Sequence, residues 1–339
     1  MVMKTVLIAL LALSLILSAG RIGLFETAPR NASHVVAPGR ASAALEYSKA
    51  WPIQKAADHP SVRWYERKNN TKRKGVALVI HGLNCRPNKM ESIIAQMTEA
   101  GIDCLNLSLR GHGRNDARFS NTEGDEARME AFKSVTYPLW KNEAYQAYQR
   151  VETKSRLYDS PLFFIGFSMG GLLGVDLFAS NPKVKFDRMV LFAPAVKMRA
   201  RNFILKILSP FPRLVIPSAP GHTAYLANRG TPMAAYNALF DMYRHLEDNP
   251  DPKINVPTLV FIDEQDELIS FSGLKNMIRD QKLDQWRIHP VIKDKTATAV
   301  KMHHLIIDEA SVGNNMWQEM VRLTIAHLSA DAQSAGPGE

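Results

Sequence analysis

Short apolar runs alternate with amphipathic stretches along most of the chain, from about residue 60 to residue 328. Apolar runs that are too short for helices predict buried strands, at 61–67, 76–80, 102–109, 162–165, 189–192, 258–262 and 286–292. Apolar positions with helical spacing predict helices between them, at 89–100, 138–158, 172–179, 271–281 and 316–328. Strands that alternate with helices indicate an α/β fold, with a mostly parallel sheet covered by helices on both faces.

One long stretch breaks this alternation. Residues 197–245 contain helical pieces and several prolines but no clear buried strand. We therefore predict a helical cap at 197–250, inserted above the sheet. The cap divides the predicted core into a first part at 60–196 and a second part at 251–329, and the tail at 330–339 is predicted to be disordered.

The N-terminus has the organisation of a secretory signal. Lys4 precedes an apolar run at 6–17, and the small residues Ser18, Ala19 and Gly20 follow it. A positive start, an apolar region and a small-residue cleavage site define such signals. The run is shorter than the roughly 20 residues of a comfortable membrane span. We predict a signal at 1–20 that is either cleaved or kept as an anchor, a linker at 21–59, and export to the periplasm, the cell envelope or the medium.

The charge of the chain changes this picture only slightly. A net charge of +9 favours anionic partners such as nucleic acid or a membrane surface. No zinc-ligand spacing or aromatic ribonucleoprotein pattern supports nucleic acid, so membrane-surface association is the partner class that stays open. The short basic runs at 72–74 and 199–201 are interpreted as solvated surface charge.

The two cysteines, Cys85 and Cys104, form either one disulfide or two separate buried thiols. Their spacing matches no metal motif, and the sequence indicates no cofactor and no metal.

The strongest candidate for chemistry is the sequence Gly166-Phe167-Ser168-Met169-Gly170. It lies between a predicted strand and a predicted helix, where a sharp turn lets a hydroxyl project from the sheet. Gly166 and Gly170 remove the side chains that would collide at such a turn. The motif in this context predicts that Ser168 is a nucleophile.

Two further motifs follow earlier strands. His81-Gly82-Leu83 comes directly after the predicted strand at 76–80, and Arg-Gly-His-Gly occupies 110–113. In this order, with the serine motif after them, they resemble the α/β-hydrolase superfamily. Within it, residues 60–328 resemble the branch of monoacylglycerol lipases, lysophospholipases and serine aminopeptidase-like proteins. That branch often has Asp where this chain has Ser108.

The resemblance implies roles for several residues of this chain. The backbone N–H groups of Leu83 and Met169 would form the oxyanion hole, supported by His81 and Gly82. The acid that orients the base would follow the strand at 258–262. Four acidic residues are available there, and Asp266 matches the family position best; the four are Asp263, Glu264, Asp266 and Glu267.

The base would lie in the segment at 302–309, where His304 matches the family pattern and His303 is the alternative one position away.

These residues predict a serine hydrolase that cleaves carboxylic esters through a Ser-His-Asp triad and an acyl-enzyme. The apolar cap favours a small-molecule or lipid-like acyl ester, such as a monoglyceride or a lysophospholipid. A peptidase, a thioesterase or an acyltransferase could use the same triad, and a non-enzymatic binding protein on this scaffold is a further alternative.

Overall fold

The computed structural model of the chain describes residues 61–68, 71–113, 124–218, 223–297 and 302–330. The predictions for the signal at 1–20, the linker at 21–59 and all but the first residue of the tail lie outside these ranges. Within the ranges, no helix combines the length and the apolar character that a membrane span needs.

The described residues contain nine strands: β1 Ser61–Tyr65, β2 Gly75–Ile80, β3 Ile102–Ser108, β4 Leu162–Phe167, β5 Arg188–Phe192, β6 Val215–Pro217, β7 Gly230–Pro232, β8 Thr258–Ile262 and β9 Trp286–Pro290. Seven of them form the central sheet, in the spatial order β1-β3-β2-β4-β5-β8-β9. All neighbours are parallel except β1, which runs antiparallel to β3 at one edge. The other two, β6 and β7, pair separately.

The eight α-helices are α1 Glu91–Glu99, α2 Gly124–Phe132, α3 Tyr137–Leu157, α4 Met169–Ser180, α5 Met233–Asp248, α6 Phe271–Asp280, α7 Glu309–Val312 and α8 Asn314–Ser329, as far as the described ranges extend. Helix α1 follows β2 and leads to β3 on one side, whereas α4 leads from β4 to β5 on the other side. Because parallel crossovers are right-handed, these two helices cover opposite faces of the sheet. Helix α8 packs beside α1, and α3 packs beside α4. The fold is therefore the α/β-hydrolase fold that the sequence predicts.

The register of the sheet places the ends of its central strands side by side. Ile80 at the end of β2 pairs with Gly166, and Phe167 at the end of β4 pairs with Phe192 at the end of β5. In open parallel sheets, ligands bind outside the carboxyl ends of the strands. The loops after β2, β4 and β8 therefore lie together at the carboxyl ends of the parallel strands.

The segment at 197–250 differs from the purely helical cap that the sequence predicts. It begins with a 3₁₀ helix, Ala200–Leu208, and continues with β6 and β7, which form a small antiparallel sheet. The prediction that this segment contains no buried strand is wrong, because all three residues of β7 are buried. Three residues are too few to show an alternating pattern, and Pro232 is atypical of strands. Helix α5 at the end of the segment packs against α3 and α4.

The predictions missed two helices of the core: the four-residue α7, and α2, which lies between the loop after β3 and α3. The composition of α2 is largely charged, and only Phe132 is buried, so it carries little helical periodicity.

Candidate active site

Ser168 occupies a strained position between β4 and α4. Its backbone has φ 52° and ψ −118°, in the left-handed half of the map that non-glycine residues rarely adopt. Such a conformation costs on the order of 1–3 kcal/mol and persists only where the surroundings enforce it. The Ser168 N–H donates to the carbonyl of Phe192 at 2.9 Å, and its own carbonyl accepts the N–H of Ala195 at 3.0 Å.

Small residues make room for this turn. A Cβ on Gly166 would lie 2.7 Å from the Cα of Gly171, and a Cβ on Gly82 would lie 3.2 Å from the Cβ of Ser168. A Cβ on Gly170 would collide with the backbone carbonyls of the residues at the end of β2. Gly170 and Gly82 therefore let the loop after β2 approach the serine turn closely, and Gly166 lets the turn itself pack tightly.

Ser168, His304 and Asp266 form one continuous chain of hydrogen bonds. The distance from His304 Nε2 to Ser168 Oγ is 2.8 Å, and the distance from His304 Nδ1 to Asp266 Oδ2 is also 2.8 Å. Asp266 is fully buried and Ser168 and His304 are nearly so. With Nδ1 protonated toward the carboxylate, Nε2 is free to accept the hydroxyl proton of Ser168.

The carboxylate of Asp266 is held as an anion. Its other oxygen, Oδ1, accepts the N–H groups of Leu268 and Ile269 at 2.7 and 2.8 Å. Burial acts to raise the pKa of Asp266, but the charge of His304 and these hydrogen bonds outweigh it, so the pKa lies below its ordinary value. The ionised group fixes one tautomer of the His304 ring and can stabilise its protonated form.

The neighbouring His303 does not reach Ser168. Its Nδ1 lies 2.7 Å from Oδ2 of Asp263, and its ring is partly exposed. Two histidine–aspartate pairs thus lie side by side, and only the pair of His304 with Asp266 extends to the serine. The geometry favours His304 over the alternative His303.

The other two acidic residues after β8 have different positions. Glu264 is exposed, whereas both carboxylate oxygens of Glu267 accept backbone N–H groups of the histidine segment.

Leu83, Met169 and Ser168 line the same cavity. Met169 begins α4, where backbone N–H groups have no partner inside the helix. Leu83 lies in a turn closed by a hydrogen bond from the Cys85 N–H to the Gly82 carbonyl at 3.2 Å. Among the described residues, none accepts a hydrogen bond from the N–H of Leu83 or Met169. The two donors are available to a ligand, as an oxyanion hole requires.

Two buried histidines fix the loop that carries Leu83. His112 Nε2 accepts the N–H of Asn84 at 2.9 Å, and His81 Nε2 accepts the N–H of Leu109 at 3.2 Å. Burial lowers the pKa of His81 to about 4 and that of His112 well below its ordinary value. Both rings are therefore neutral at neutral pH and serve as hydrogen-bond acceptors between the loops after β2 and β3.

Ser108, which replaces the Asp common in the branch, donates its hydroxyl to the carbonyl of Gly113 and so closes the Arg-Gly-His-Gly loop.

A cavity of about 350 Å³ opens beside the serine. This volume lies at the lower end of the range for small-molecule sites. Its described walls are mostly apolar and come from the core and the cap segment together. The residues that the cap segment contributes include Leu205, Ile216, Pro217, Leu239 and Phe240.

The cap segment is bonded to the loop that carries Asp266. Arg199 Nε donates to the carbonyl of Asp266 at 2.6 Å, and Arg201 donates to the carbonyl of Glu267. The interpretation of residues 199–201 as solvated surface charge is therefore wrong for Arg199, which is partly buried, whereas Arg201 is exposed. No sequence pattern indicates this role, because the acceptors are backbone carbonyls.

A second set of bonds joins the cap segment to the loop that carries Leu83. The side chain of Asn84 accepts the N–H of Asn228 at 2.9 Å and donates to its carbonyl at 3.0 Å. Tyr225 of the cap segment bonds another part of the core, because its hydroxyl donates to the carboxylate of Asp308 at 2.9 Å. These bonds join the cap segment, which forms part of the cavity wall, to the core at two further places.

Cys85 and Cys104 are both free and buried, so of the two alternatives the structure has two separate thiols. Burial raises the pKa of the Cys85 thiol to about 12, which makes it a poor nucleophile despite its place in the cavity wall.

Comparison with known proteins agrees with the fold. Residues 71–229 match the family model of the serine aminopeptidase, S33. Among curated proteins, none matches this chain in sequence.

Solved structures of lipases and esterases are similar to the chain. A soluble variant of monoglyceride lipase from Saccharomyces cerevisiae has a TM-score of 0.61 and 14% identity, over 79% of this chain and 90% of that one. A monoacylglycerol lipase from Paleococcus ferrophilus has a TM-score of 0.55 and 16% identity, over 79% of this chain and 99% of that one. The protein Est1E from Butyrivibrio proteoclasticus, with ferulic acid bound, has a TM-score of 0.51 and 15% identity, over 80% of this chain and 92% of that one. At these identities the likeness shows the fold. The chain therefore has the α/β-hydrolase fold, and it resembles the branch of that superfamily that contains the monoacylglycerol lipases and the serine aminopeptidase-like proteins.

Proposed function

We propose that this protein hydrolyses carboxylic esters with Ser168 as the nucleophile. The observation that carries the proposal is the continuous hydrogen-bond chain from Ser168 through His304 to Asp266, at the wall of an apolar cavity. A nucleophile, a base within hydrogen-bond reach and a group that orients the base are the parts that acyl transfer needs. A non-enzymatic binding protein would have no need of all three.

The proposed reaction uses each of these groups in turn. Ser168 Oγ attacks the acyl carbonyl carbon while His304 Nε2 takes its proton, and the carbonyl oxygen becomes an oxyanion that accepts the N–H groups of Leu83 and Met169. The C–O bond to the alcohol then breaks, and His304 returns the proton to the departing oxygen. Water attacks the acyl-enzyme with His304 again as the base, which releases the acid and restores Ser168. Asp266 stays ionised throughout and stabilises the protonated ring.

The cavity favours an apolar acyl group as the substrate. Among the described residues that line it, none is an Asp or a Glu. The name of the matching family raises an aminopeptidase as the second candidate. An aminopeptidase must bind the ammonium group of its substrate, and a buried ammonium needs a carboxylate or an equivalent partner. A lipid-like ester, such as a monoglyceride or a lysophospholipid, fits this lining better.

Substitutions in the triad test the mechanism. With a short p-nitrophenyl ester, Ser168→Ala and His304→Ala should each lower kcat by about 10⁴-fold or more, and Asp266→Asn by about 10³- to 10⁴-fold. His303→Ala is the matched control, because its ring bonds Asp263 instead of Ser168, and it should keep kcat within about threefold. Equal losses for His303→Ala and His304→Ala, or an unchanged Ser168→Ala, would refute the assignment.

A panel of substrates tests the acyl preference. Each methylene that enters the cavity should contribute about 0.8 kcal/mol, so kcat/KM should rise about fourfold per methylene until the cavity is full. Aminoacyl p-nitroanilides serve as the contrasting set and should be poor substrates. A higher kcat/KM for the anilides than for any ester would favour the aminopeptidase instead.

We also propose that the cap segment contacts an anionic membrane surface. Four large apolar side chains of the segment at 204–214 are between 42% and 48% exposed: Ile204, Ile207, Phe211 and Leu214. The adjacent Leu205 lines the cavity, so the same segment would join the membrane surface to the binding site. A net charge of +9 would attract anionic lipid.

Vesicle binding tests this contact. The triple variant Ile204→Ser, Ile207→Ser, Phe211→Ser should bind vesicles of phosphatidylcholine and phosphatidylglycerol at least about tenfold more weakly than wild type, since each apolar side chain contributes on the order of 1 kcal/mol. Leu157→Ser is the control. This exposed leucine is the last residue of α3 and lies near the amino end of β4, whereas the cavity lies at the carboxyl ends of the strands. Equal losses in the two variants would contradict the proposed contact.

Export is proposed from the segment at 1–20 alone. Mass spectrometry of the protein recovered from cells should find a chain that begins near Arg21 if the signal is cleaved, or a full-length chain in the membrane fraction if it is an anchor. Full-length protein in the cytoplasmic fraction would contradict export.

A further inference from the structure

The base of the proposed triad lies in a short turn rather than on a helix or a strand. Residues 303 and 304 form the turn, and the Leu305 N–H closes it by donating to the Met302 carbonyl at 3.3 Å. A catalytic group must be held within about 0.5 Å of its productive position, and a turn provides less support than a regular element. Other parts of the protein must therefore hold this turn in place.

Glu267 holds the N–H side of the turn. Its Oε1 accepts the backbone N–H of His303 and its Oε2 accepts the backbone N–H of His304, each at 3.0 Å. Successive backbone N–H groups in a turn form a concavity that binds anions, and here the anion is a side chain of the same protein. The carboxylate belongs to the loop after β8, directly beside Asp266.

Lys293 holds the carbonyl side of the same turn. Its Nζ donates to the carbonyl of Met302 at 2.6 Å and to that of Leu305 at 2.9 Å. Lys293 follows β9, the neighbour of β8 in the sheet. Burial lowers the pKa of Lys293, and four surrounding carboxylates act in the opposite direction: Asp263, Glu267, Asp308 and Asp266. The lysine is thus placed among anions that attract it to this position.

We infer that Glu267 and Lys293 together form a clamp that positions His304 for proton transfer. The inference rests on the proposed role of His304 as the base. Within the described part of the chain, neither clamp residue lines the cavity. They are therefore positioning residues, which act on the reaction only through the turn that carries His304.

Removal of either side chain should slow the chemical step without weakening substrate binding. Glu267→Gln replaces one acceptor oxygen by an NH₂ group that cannot accept. Lys293→Met removes both donated bonds while it keeps an unbranched side chain that is one atom shorter. Loss of a group that supports a functional side chain typically lowers activity by about 10- to 100-fold. We expect kcat for a short p-nitrophenyl ester to fall by about that factor while KM stays within about twofold.

Matched controls come from the same two loops. Glu264→Gln and Lys295→Met change exposed side chains and should leave kcat and KM unchanged. Lys293→Arg keeps a cationic donor and should recover part of the lost kcat. In a proton NMR spectrum, the downfield resonance of the His304 Nδ1–H, identified by its absence in His304→Ala, should broaden or shift in Glu267→Gln and Lys293→Met but not in the controls.

The outcomes separate this inference from the proposed function. If wild type hydrolyses no ester and Ser168→Ala changes nothing, the proposed function fails. If wild type is active and depends on His304, but the clamp variants keep its kcat and its downfield resonance, only the clamp is refuted. Equal losses of kcat in the clamp variants and their controls, or unfolding of both clamp variants at 25 °C, would also overturn it, since the two side chains would then be general structural supports.

Discussion

The site depends on the strained backbone at Ser168. A φ of 52° is unfavourable for serine, yet this conformation projects the hydroxyl from the end of β4 toward the cavity. The adjoining strand end supplies the bonds that hold it, because the Phe192 carbonyl accepts the Ser168 N–H and the Ala195 N–H donates to the Ser168 carbonyl. The sheet register and the nearby glycines lower the free-energy cost of this turn.

Around that turn, three loops from distant parts of the sequence must converge. His304 lies 136 positions from Ser168 and 38 positions from Asp266. Each loop is fixed by bonds of its own. The neutral rings of His81 and His112 bond the loops after β2 and β3 to each other, backbone N–H groups bond Asp266, and Glu267 and Lys293 bond the turn that carries His304. The cap segment bonds two of these loops as well, so the cavity wall and the reactive groups form one connected network. A displacement of the cap segment would therefore also displace the loops that carry Leu83 and Asp266.

Much of this arrangement could be predicted from the sequence. The central strands are short runs of fully buried residues, which hydropathy detects directly, and the serine motif between a strand and a helix indicates its own geometry. The choice between His303 and His304 could not be made from local pattern, since each has an aspartate partner in the same loop. Only the three-dimensional path of the turn determines which ring faces Ser168.

The bonds that hold the site were the hardest part to foresee. Arg199, Glu267 and Lys293 bind backbone groups, and backbone groups carry no sequence signature. The strand β7 was missed because three residues show no periodicity. The same physical rule covers all of these cases: patterns of side chains predict which surfaces are buried, whereas contacts to distant backbone depend on the folded path of the chain.

The central claim is that the hydroxyl of Ser168 is the activated nucleophile, and covalent labelling tests it most directly. The intact protein would be treated with a fluorophosphonate, digested, and mapped by mass spectrometry. The account predicts a single phosphonyl adduct on Ser168, formed quickly in wild type and only slowly when Asp266 is replaced by Asn, because the probe reacts with a serine only when a base activates it. Absence of an adduct on wild type, or an adduct on another residue with Ser168 unmodified, would contradict the account.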